Sequence, residues 1–461
     1  MKKMFTKLSS AAMIVALALT SLAVRAQTTS LTNTDATTIT ASAGTTIHAD
    51  AKAEVKPEVR AAKAADADTA WKPQRRVWGY AFGDEYYDGH ADATNRGSEG
   101  MYNGVPTYRN AFQFRRLYLG YDYEITKKFK AEVLLASEPN ANTGVNGTTS
   151  IQNGDNLVDG KMAFWIKNFN LRVRDVWNGT DFVIGELSTP GFALNEPGTN
   201  GPNSLSEATW AYRSIEKTIT DFHKNNSYDV GAALQGTFDP ATKNFGYIAM
   251  IANNSTASLL SAANANTGFY KIFYGDLWAK FFNQKLFVDI YADYAKTAAA
   301  TAVIPGQEHN MFKIFASYNS KPITVGVELY TQSIASGVNS VTTATPAVKT
   351  PEDATVHGLS IWVRGAIAKN WNYFARYDSY NPNTQFNTAD TYTVNTNYGA
   401  YNPTTKEQFY TAGLDYNPTK NVHFMPNFWL VDFANQGPTA ATVVNDHTLV
   451  YRFTFFYTFG K

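Results

Sequence analysis

The sequence predicts an all-β chain that closes into a transmembrane antiparallel β-barrel of about 16 strands, within a range of roughly 16–18. Three observations predict this fold. Apolar and polar residues alternate with period two over segments of about ten residues. The links between these segments are short and long in turn, and aromatic residues make up 14% of a chain whose mean hydropathy is −0.30. Strands with one apolar and one polar face suit a membrane-spanning barrel.

Composition excludes several classes of protein. The 461 residues include 40 Lys plus Arg against 39 Asp plus Glu, so the chain lacks the basic surplus that displaces counterions from nucleic acid. It contains no cysteine, which removes disulfide scaffolds, thiolate zinc sites and cysteine nucleophiles. We therefore expect no nucleic-acid partner.

Residues 1–26 are predicted to be a signal peptide. Three lysines among the first seven residues precede the apolar run 11–22, and the small residues at 24–26 suit a cleavage site. The run is shorter than the ~20 residues of a membrane-spanning helix. Residues 27–74 are rich in Thr, Ala and Ser, which predicts a low-complexity periplasmic tether because such a segment buries little apolar surface. The barrel domain is predicted over 75–461.

The last segment of the chain shows the alternation most clearly. Tyr451 and Phe453 fall on one face, and Arg452 and Thr454 fall on the other. The same period predicts strands at 76–86, 111–123, 128–137, 161–174, 180–189, 228–238, 243–253, 268–281, 285–296, 310–319, 322–333, 355–368, 371–381, 407–417, 421–433 and 446–459.

The links between the predicted strands alternate in length. Short links lie at 125–128, 177–180, 239–244, 282–284, 319–321, 369–370 and 417–420. Long polar links lie at 87–110, 138–160, 190–227, 254–267, 297–309, 334–354, 382–406 and 434–445. This pattern is typical of an outer-membrane barrel with short periplasmic turns and long extracellular loops, and an even strand number places both termini in the periplasm. Closure is expected because an open sheet edge is not tolerated in hydrocarbon.

Several segments resemble the phosphate-selective porin O and P family of Gram-negative outer-membrane channels. The resemblance covers most of 76–461 and rests on the order of five short motifs. They are Phe112-Gln113-Phe114-Arg115-Arg116-Leu117-Tyr118-Leu119-Gly120, Gly185-Glu186-Leu187-Ser188-Thr189-Pro190, Tyr212-Arg213-Ser214, Arg376-Tyr377-Asp378 and Gly413-Leu414-Asp415-Tyr416-Asn417-Pro418.

The resemblance implies a water-filled channel for small hydrophilic solutes or ions, with anions such as phosphate as candidates, seated in outer-membrane lipid as a homotrimer. It also implies that the third long loop, 190–227, folds inward as the constriction, as the third loop does in related general porins. The alternative is a surface loop folded on itself. The family's arginine ladder cannot be carried over, because only isolated arginines match.

Parity assigns the charged side chains of the strands to the lumen, since a charge on the lipid side would cost ~2–4 kcal/mol near the midplane. The basic ones are Arg116, Lys130, Arg172, Arg174, Lys280, Lys313, Arg364, Arg376 and Arg452. The acidic ones are Asp122, Glu132, Glu186, Asp229, Asp276, Asp289, Asp293, Glu328, Asp378 and Asp415.

From these we select candidate site residues. The predicted pore-lining or permeant-contacting residues are Arg116, Arg172, Arg174, Arg213, Lys217, Arg364, Arg376 and Arg452. The predicted lumen carboxylates are Glu132, Glu186, Asp289, Asp293 and Glu328. Arg116, Arg172, Arg174 and Arg213 are preferred because they cluster on neighbouring strands and the inward loop. The two signs nearly cancel, so a wall arginine equally suits a structural ion-pair lattice, and any anion preference is expected to be modest.

Enzyme chemistry is not predicted. The sequence contains no Gly-x-Ser-x-Gly elbow, His-Glu-x-x-His helix or glycine-rich phosphate loop. His357 or His423 would need a Ser and an Asp brought close in space, and barrel hydrolases have fewer strands. No cofactor or metal is expected, since His223 has no second ligand at a suitable spacing. A surface β-protein that binds glycans or acts as an adhesin is the alternative function, and a soluble β-sandwich is the alternative fold.

Overall fold

Long strands dominate the part of the chain from Pro73 to Lys461, which forms one compact unit. The computed structural model describes residues 71–93, 102, 105–137, 157–158, 161–162, 164–191, 218–223, 227–254, 270–296, 308–320, 322–341, 349–386, 391–394, 404–436 and 445–460. The predicted signal peptide and nearly all of the predicted tether lie outside these residues and stay predictions. No helix among the described residues is long and apolar enough to cross a bilayer.

Nineteen strands and one helix lie in the described residues. The strands are β1 Arg75–His90, β2 Asn110–Glu124, β3 Phe129–Ser137, β4 Leu157–Val158, β5 Lys161–Met162, β6 Trp165–Trp177, β7 Thr180–Ser188, β8 Tyr228–Thr237, β9 Phe245–Ala252, β10 Ile272–Phe281, β11 Leu286–Lys296, β12 Glu308–Asn319, β13 Ile323–Val341, β14 Lys349–Ala368, β15 Trp371–Asn381, β16 Thr391–Val394, β17 Thr405–Thr419, β18 Val422–Asn435 and β19 Asp446–Phe459. The helix is α1, Ile219–Phe222.

Sixteen of these described strands form a closed antiparallel barrel. Their order around the ring is β1, β2, β3, β6, β7, β8, β9, β10, β11, β12, β13, β14, β15, β17, β18 and β19. The ring closes between the first and last strands, where Gly79 pairs with Phe459 and Tyr87 with Tyr451. Each strand of the ring is therefore hydrogen-bonded on both sides. A closed ring of this kind leaves no open sheet edge, and an open edge is not tolerated in hydrocarbon. The predicted fold is confirmed, and each of the sixteen predicted strands overlaps one strand of the ring.

The predicted alternation of links is confirmed with one correction. Residues 334–354 were expected to be a loop, but β13 extends to Val341 and β14 begins at Lys349, so the two strands continue beyond their neighbours. A register shift between Ile334 and Val338 interrupts the ladder, and the amide of Ser336 donates to Asp353 Oδ1 at 2.9 Å there. This irregularity breaks the period-two pattern, which explains why the sequence predicted a strand end.

Cross-strand aromatic–glycine pairs reinforce the inner face. Three inward tryptophans lie over the glycine directly opposite in the register: Trp78 over Gly120, Trp278 over Gly246 and Trp362 over Gly326. A Cβ on Gly326 would lie 2.2 Å from Cζ2 of Trp362, well inside van der Waals contact. The glycine thus lets the indole lie along the wall, the arrangement by which aromatic residues compensate for glycine in sheets.

We predict that Gly326→Ala destabilises the barrel. The added methyl overlaps the Trp362 ring and forces it from its position, which should lower the free energy of unfolding by about 1–3 kcal/mol. Urea unfolding of refolded protein in lipid, followed by tryptophan fluorescence, measures this change. The matched control is Gly275→Ala, whose added Cβ would meet only the Ala292 carbonyl oxygen, at 4.0 Å. Equal stability of the two variants would contradict the packing argument.

Candidate functional site

The barrel wall has two chemically different faces. On β19, Tyr451 and Phe453 point outward and are 51% and 44% exposed, whereas Arg452 and Thr454 point inward and are buried. The same alternation of exposed and buried residues runs along the other barrel strands. The buried ionisable residues among those assigned by parity are Lys130, Arg172, Lys313, Arg376, Arg452, Asp122, Glu132, Asp229, Asp276, Asp289, Asp293, Glu328, Asp378 and Asp415.

The inner face also carries large apolar side chains. Tyr291, Phe315, Phe374 and Trp429 are among the largest fully buried residues, and all belong to inward-facing positions. Trp429 lies in a cluster that extends across several neighbouring strands and includes Phe409. The alternation in the sequence did not predict that large aromatic side chains would lie on the inner face. It separates the residues of a strand into two faces but does not say what each face contacts.

Four of the predicted arginines have polar partners on the wall. Arg376 makes a forked pair with Asp378, with Nη2 at 2.6 Å from Oδ2. Arg172 donates to Asp181 at 3.1 Å and to the side-chain oxygen of Gln235 at 3.0 Å. Arg174 and Glu124 are joined by two hydrogen bonds near a short turn, and Arg452 donates to the side-chain oxygen of Asn427 at 2.8 and 3.0 Å. These contacts are those of a structural lattice.

The remaining strand arginines occupy different places. Arg364 lies opposite Thr324 on the inward register of β14, close to the short-turn end. Arg116 donates to the hydroxyl of Tyr118 at 2.6 Å and lies in the middle of β2.

A β-bulge in β2 brings a further arginine inward. Phe82 of β1 pairs with Arg116 and Gly83 pairs with Phe114, so Arg115 is the extra residue. Arg115 is buried, and its Nε lies 2.6 Å from Oδ2 of Asp84. Parity in the sequence missed Arg115, since a bulge places two consecutive side chains against one partner. The sequence did carry a sign of this bulge. The outward apolar residues have even numbers at Phe112 and Phe114 and odd numbers beyond Arg116.

A second bulge acts in the same way on β6. Leu134 pairs with Asn168 and Leu135 with Ile166, so Lys167 is the extra residue and is buried. Sequence reasoning missed this lysine too. The outward residues again change phase, from Ile166 to Phe169, both more than half exposed.

Two basic side chains, Arg116 of β2 and Lys167 of the second bulge, meet at the hydroxyl of Tyr118. Lys167 Nζ lies 3.3 Å from the Tyr118 hydroxyl, to which Arg116 also donates. Arg115 is adjacent to Arg116 in sequence and on the same inner face. We call Arg115, Arg116 and Lys167 the Tyr118 group. It places three basic side chains on β2 and β6, which are separated only by β3, and the charge of Arg115 is paired with that of Asp84.

The predicted lumen carboxylates differ in their surroundings. Glu132 contacts Lys130 and accepts from the amide of Asn170 at 3.2 Å. Asp293 accepts from the amide of Met311 at 3.0 Å and lies 3.3 Å from Nε2 of His309. Both are therefore tied to the wall.

Glu186 departs from simple alternation. In the register it lies opposite Phe169, which faces outward and is 60% exposed. Gly185, just before it, has φ +132°, a conformation that interrupts the regular strand. The Glu186 side chain is only part-buried, although it is near enough to Lys167 for their charges to interact. Register alone would give Glu186 the outward position, but its Oε1 is buried and its charge interacts with the inward-facing Lys167 and Asp229, so the lumen assignment stays a prediction.

Lys313 is the centre of a charged cluster on the opposite part of the wall. It is 1% exposed and faces the carboxylates of Asp276, Asp289 and Glu328. Its ammonium group also donates to the backbone carbonyl of Gly191, at the start of the long link between β7 and β8. We call these four side chains the Lys313 cluster.

The end of the same link is anchored to the cluster as well. Thr220, in α1, donates to Glu328 Oε1 at 3.2 Å, and Thr218 and Thr220 share a hydrogen bond of 3.0 Å. Ile219 is fully buried. Two separate points of the 190–227 segment therefore bind the inner wall of β12 and β13.

Aromatic side chains continue this contact around the wall. Phe222 packs with ring centroids 6.2 Å from Phe409 and 5.5 Å from Trp429. His223 stacks on Tyr380 at 3.5 Å, and its Nε2 lies 3.9 Å from Glu407.

These contacts reach the far side of the barrel. β7 and β8 hold positions 5 and 6 of the sixteen-strand ring, and β15 and β17 hold positions 13 and 14, a separation of eight strands in each case. Tyr380 belongs to β15 and Glu407 to β17. The α1 region thus contacts the wall diametrically opposite the strands that its link connects.

Two predicted site residues of the third long loop, Arg213 and Lys217, lie outside the described residues, and their roles stay predictions.

Solved outer-membrane proteins have similar structures. The outer membrane channel DcaP of Acinetobacter baumannii matches with a TM-score of 0.51 at 10% identity, covering 84% of this chain and 97% of its own. In-vitro folded OmpT in its trimer form, an outer membrane protein of Vibrio cholerae, gives 0.49 at 10% identity over 84% and 100%. OmpF of Salmonella typhi in complex with daunomycin gives 0.45 at 12% identity over 84% and 97%.

The comparison with DcaP supports the barrel fold and extends no further at this identity. No protein-family model matches the sequence, and neither does any curated protein. The resemblance of the short motifs to phosphate-selective porins stays a prediction.

Proposed function

We propose that this protein is an outer-membrane porin, a passive channel for small hydrophilic solutes and ions. The observation that carries the proposal is the closed ring of sixteen described strands with exposed apolar side chains outside and ionisable side chains inside. About eight strands enclose only side chains, whereas 16–18 strands leave room for an aqueous channel. No catalytic step is part of the proposal.

Lipid contact is supported by the outward aromatic residues. Trp371 and Tyr416 pair at the short-turn end with ring centroids 4.9 Å apart, and both are more than one-third exposed. Tyr451 and Phe112 are exposed nearer the other end. Aromatic residues at both borders are typical of outer-membrane barrels, whose short turns face the periplasm. On this orientation the long links are extracellular, and the signal peptide predicted at 1–26 accounts for export.

We infer that the 190–227 segment narrows the channel. Its support is the pair of anchors at Gly191 and Thr220, together with the stacking of Phe222 and His223 against the far wall. A segment that starts on one side of a barrel and contacts the opposite side occupies part of the cross-section between them. Pore selectivity then depends on the side chains near that segment.

Planar-bilayer recording of purified, refolded protein tests the channel. We expect discrete ion-conducting steps in KCl. Repeated insertion of correctly folded barrel, verified by heat-modifiable migration, without any conducting step would reject the proposal. Chemical cross-linking in native outer membranes tests the homotrimer, which is expected from the family resemblance.

The Tyr118 group is proposed to supply a modest anion preference. Changing Arg116→Gln and Lys167→Gln together removes two positive charges beside the neutral Tyr118 hydroxyl. We expect the anion-to-cation permeability ratio to fall, because nearby charge sets the concentration of each ion in a pore. Reversal potentials in a KCl gradient measure the ratio.

The matched control is Arg174→Gln. Its guanidinium is paired with Glu124 at the short-turn end of β2, and the change removes one positive charge there, whereas the double variant removes two beside Tyr118. The sequence analysis preferred Arg174 as a permeant contact. Its ion pair with Glu124 instead predicts a smaller role in ion selectivity than that of the Tyr118 group. A fall in the permeability ratio with Arg174→Gln as large as that of the double variant would remove the Tyr118 group from the selectivity argument.

A further inference from the structure

Two histidines and an aspartate meet where the first and last strands close the barrel. His90 ends β1, and Asp446 and His447 begin β19, at the end of the barrel that carries the long links. Along the chain, His90 and Asp446 are 356 residues apart. They lie beyond Tyr87 and Tyr451, a pair of exposed aromatic residues in the closing ladder.

The three side chains converge on a single carboxylate oxygen. His90 Nε2 lies 2.7 Å from Asp446 Oδ1, and His447 Nδ1 lies 3.6 Å from the same atom. The two imidazoles are stacked with centroids 4.1 Å apart. One ligand-competent atom from each residue lies within 4.8 Å of the other two.

Backbone amides orient the carboxylate toward the imidazoles. The amide of Ala93 donates to Asp446 Oδ2 at 2.8 Å, and the amide of His447 donates to Oδ1 at 2.8 Å. Hydrogen bonds of this kind hold a ligating carboxylate in place and are a usual part of metal sites. The arrangement is also accessible, since about 41% of the His90 side chain and 40% of the His447 side chain are exposed.

We propose that His90, Asp446 and His447 form a binding site for a first-row transition-metal ion such as Zn²⁺ at the barrel seam. Three ligands at about 2.0–2.2 Å from such an ion lie roughly 3–3.6 Å from one another, and binding would turn the two stacked imidazoles so that a nitrogen of each faces the ion. A bound ion would cross-link the first and last strands at the rim and leave a coordination position for water.

The donor set selects the kind of metal. Imidazole nitrogen suits Zn²⁺, Cu²⁺, Ni²⁺ and Co²⁺, whereas Ca²⁺ and Mg²⁺ take oxygen ligands almost exclusively. The site offers two imidazoles and one carboxylate. Zn²⁺ is therefore expected to bind in preference to Ca²⁺ or Mg²⁺.

Calorimetry on the full, refolded chain in detergent tests the site. The protein must carry no oligohistidine tag and be stripped with EDTA first. We expect the wild type to bind one Zn²⁺ per chain, and excess Ca²⁺ and Mg²⁺ to leave that binding unchanged. His90→Ala and His447→Ala should each weaken Zn²⁺ binding at least ~10-fold. Loss of a residue that merely orients a metal ligand already weakens binding by about 10–100-fold, and these residues are ligands themselves.

The matched control is His423→Ala. His423 Nδ1 lies 3.0 Å from Asp415 Oδ1, at the opposite end of the barrel. Among the described residues, this imidazole–carboxylate pair does not belong to a group of three possible metal ligands. This variant should bind Zn²⁺ as the wild type does. Heat-modifiable migration verifies the folding of each variant, and Zn²⁺ should raise the modification temperature of the wild type and of His423→Ala only.

Asp446→Asn provides an independent variant that keeps the side-chain shape, so the test survives if a histidine variant fails to fold. It should also bind Zn²⁺ more weakly. No Zn²⁺ binding by the wild type, or equal binding by folded wild type, His447→Ala and Asp446→Asn, would overturn the proposal. Because binding is read without conductance, this outcome is separate from the porin proposal.

Discussion

Lys313→Met is expected to cause the largest loss of stability in this barrel. Lys313 is buried among Asp276, Asp289 and Glu328, so its removal leaves three carboxylates in a poorly hydrated wall without their central cation. Removing one partner of a buried ion pair lowers stability by about 3–5 kcal/mol. Methionine keeps the length and apolar stem of the lysine, so the change tests charge more than volume. Urea unfolding in lipid measures the free energy.

Asp276→Asn is the matched variant within the same cluster. The four side chains carry three negative charges and one positive charge, and Asp276 lies near Asp289, a like charge. Among the described residues, neither carboxylate oxygen of Asp276 has a hydrogen-bond partner. Neutralising it should change the free energy of unfolding by less than about 1 kcal/mol or raise it, because like-charge repulsion is relieved.

The double variant Lys313→Met with Glu328→Gln extends this test. It restores the net charge of the cluster to −2 and should recover part of the lost stability. Equal stability of Lys313→Met and wild type would show that the cluster is well hydrated, and the buried-charge argument would then be wrong.

Phe222→Ala combined with Thr220→Val is expected to raise single-channel conductance. Phe222 packs between Phe409 and Trp429, and Thr220 holds Glu328, so the two changes remove both the apolar and the polar contact of α1. Truncating a buried phenylalanine costs about 3–5 kcal/mol. At about 1.4 kcal/mol for each factor of ten, the ratio of docked to undocked segment would fall at least ~100-fold. An undocked segment leaves more of the cross-section to water.

Single-channel recordings of the double variant beside Phe282→Ala measure this effect. Phe282 is 71% exposed in the turn between β10 and β11, at the opposite end of the barrel, so its truncation should leave conductance unchanged. Conductance of the double variant equal to that of wild type would mean that the 190–227 segment does not limit the flow. The channel proposal itself would stand, since the unmodified barrel would still conduct.

Local pattern predicted the barrel well because strand number and facing depend on neighbours in sequence. The side chains of β19 alternate strictly enough that Tyr451 and Arg452 could be assigned to opposite faces without coordinates. Short and long links could be distinguished because turn residues occupy only a few positions between periodic segments. The pattern failed where periodicity itself breaks, at Arg115, Lys167 and Ile334.

The candidate site depended much more on contacts between distant residues. The predicted arginine Arg172 is bonded to Asp181 and Gln235, and Arg174 to Glu124, partners that no spacing rule identifies. Arg115 and Lys167, which parity did not assign to the lumen, lie on the inner face with Arg116, and Arg116 and Lys167 meet at Tyr118. A single inserted residue in a strand reverses the facing of every residue beyond it, so small irregularities decide which charges line the wall.

The sequence by itself determined that this chain is a closed barrel of sixteen strands with an apolar exterior, because alternation and turn chemistry are local properties. Only the tertiary structure decided that Thr220 meets Glu328 and that His90 meets Asp446. Those pairs depend on ring closure and on the path of a long link, which bring together residues separated by 108 and 356 positions. Local periodicity carries no information about such distances.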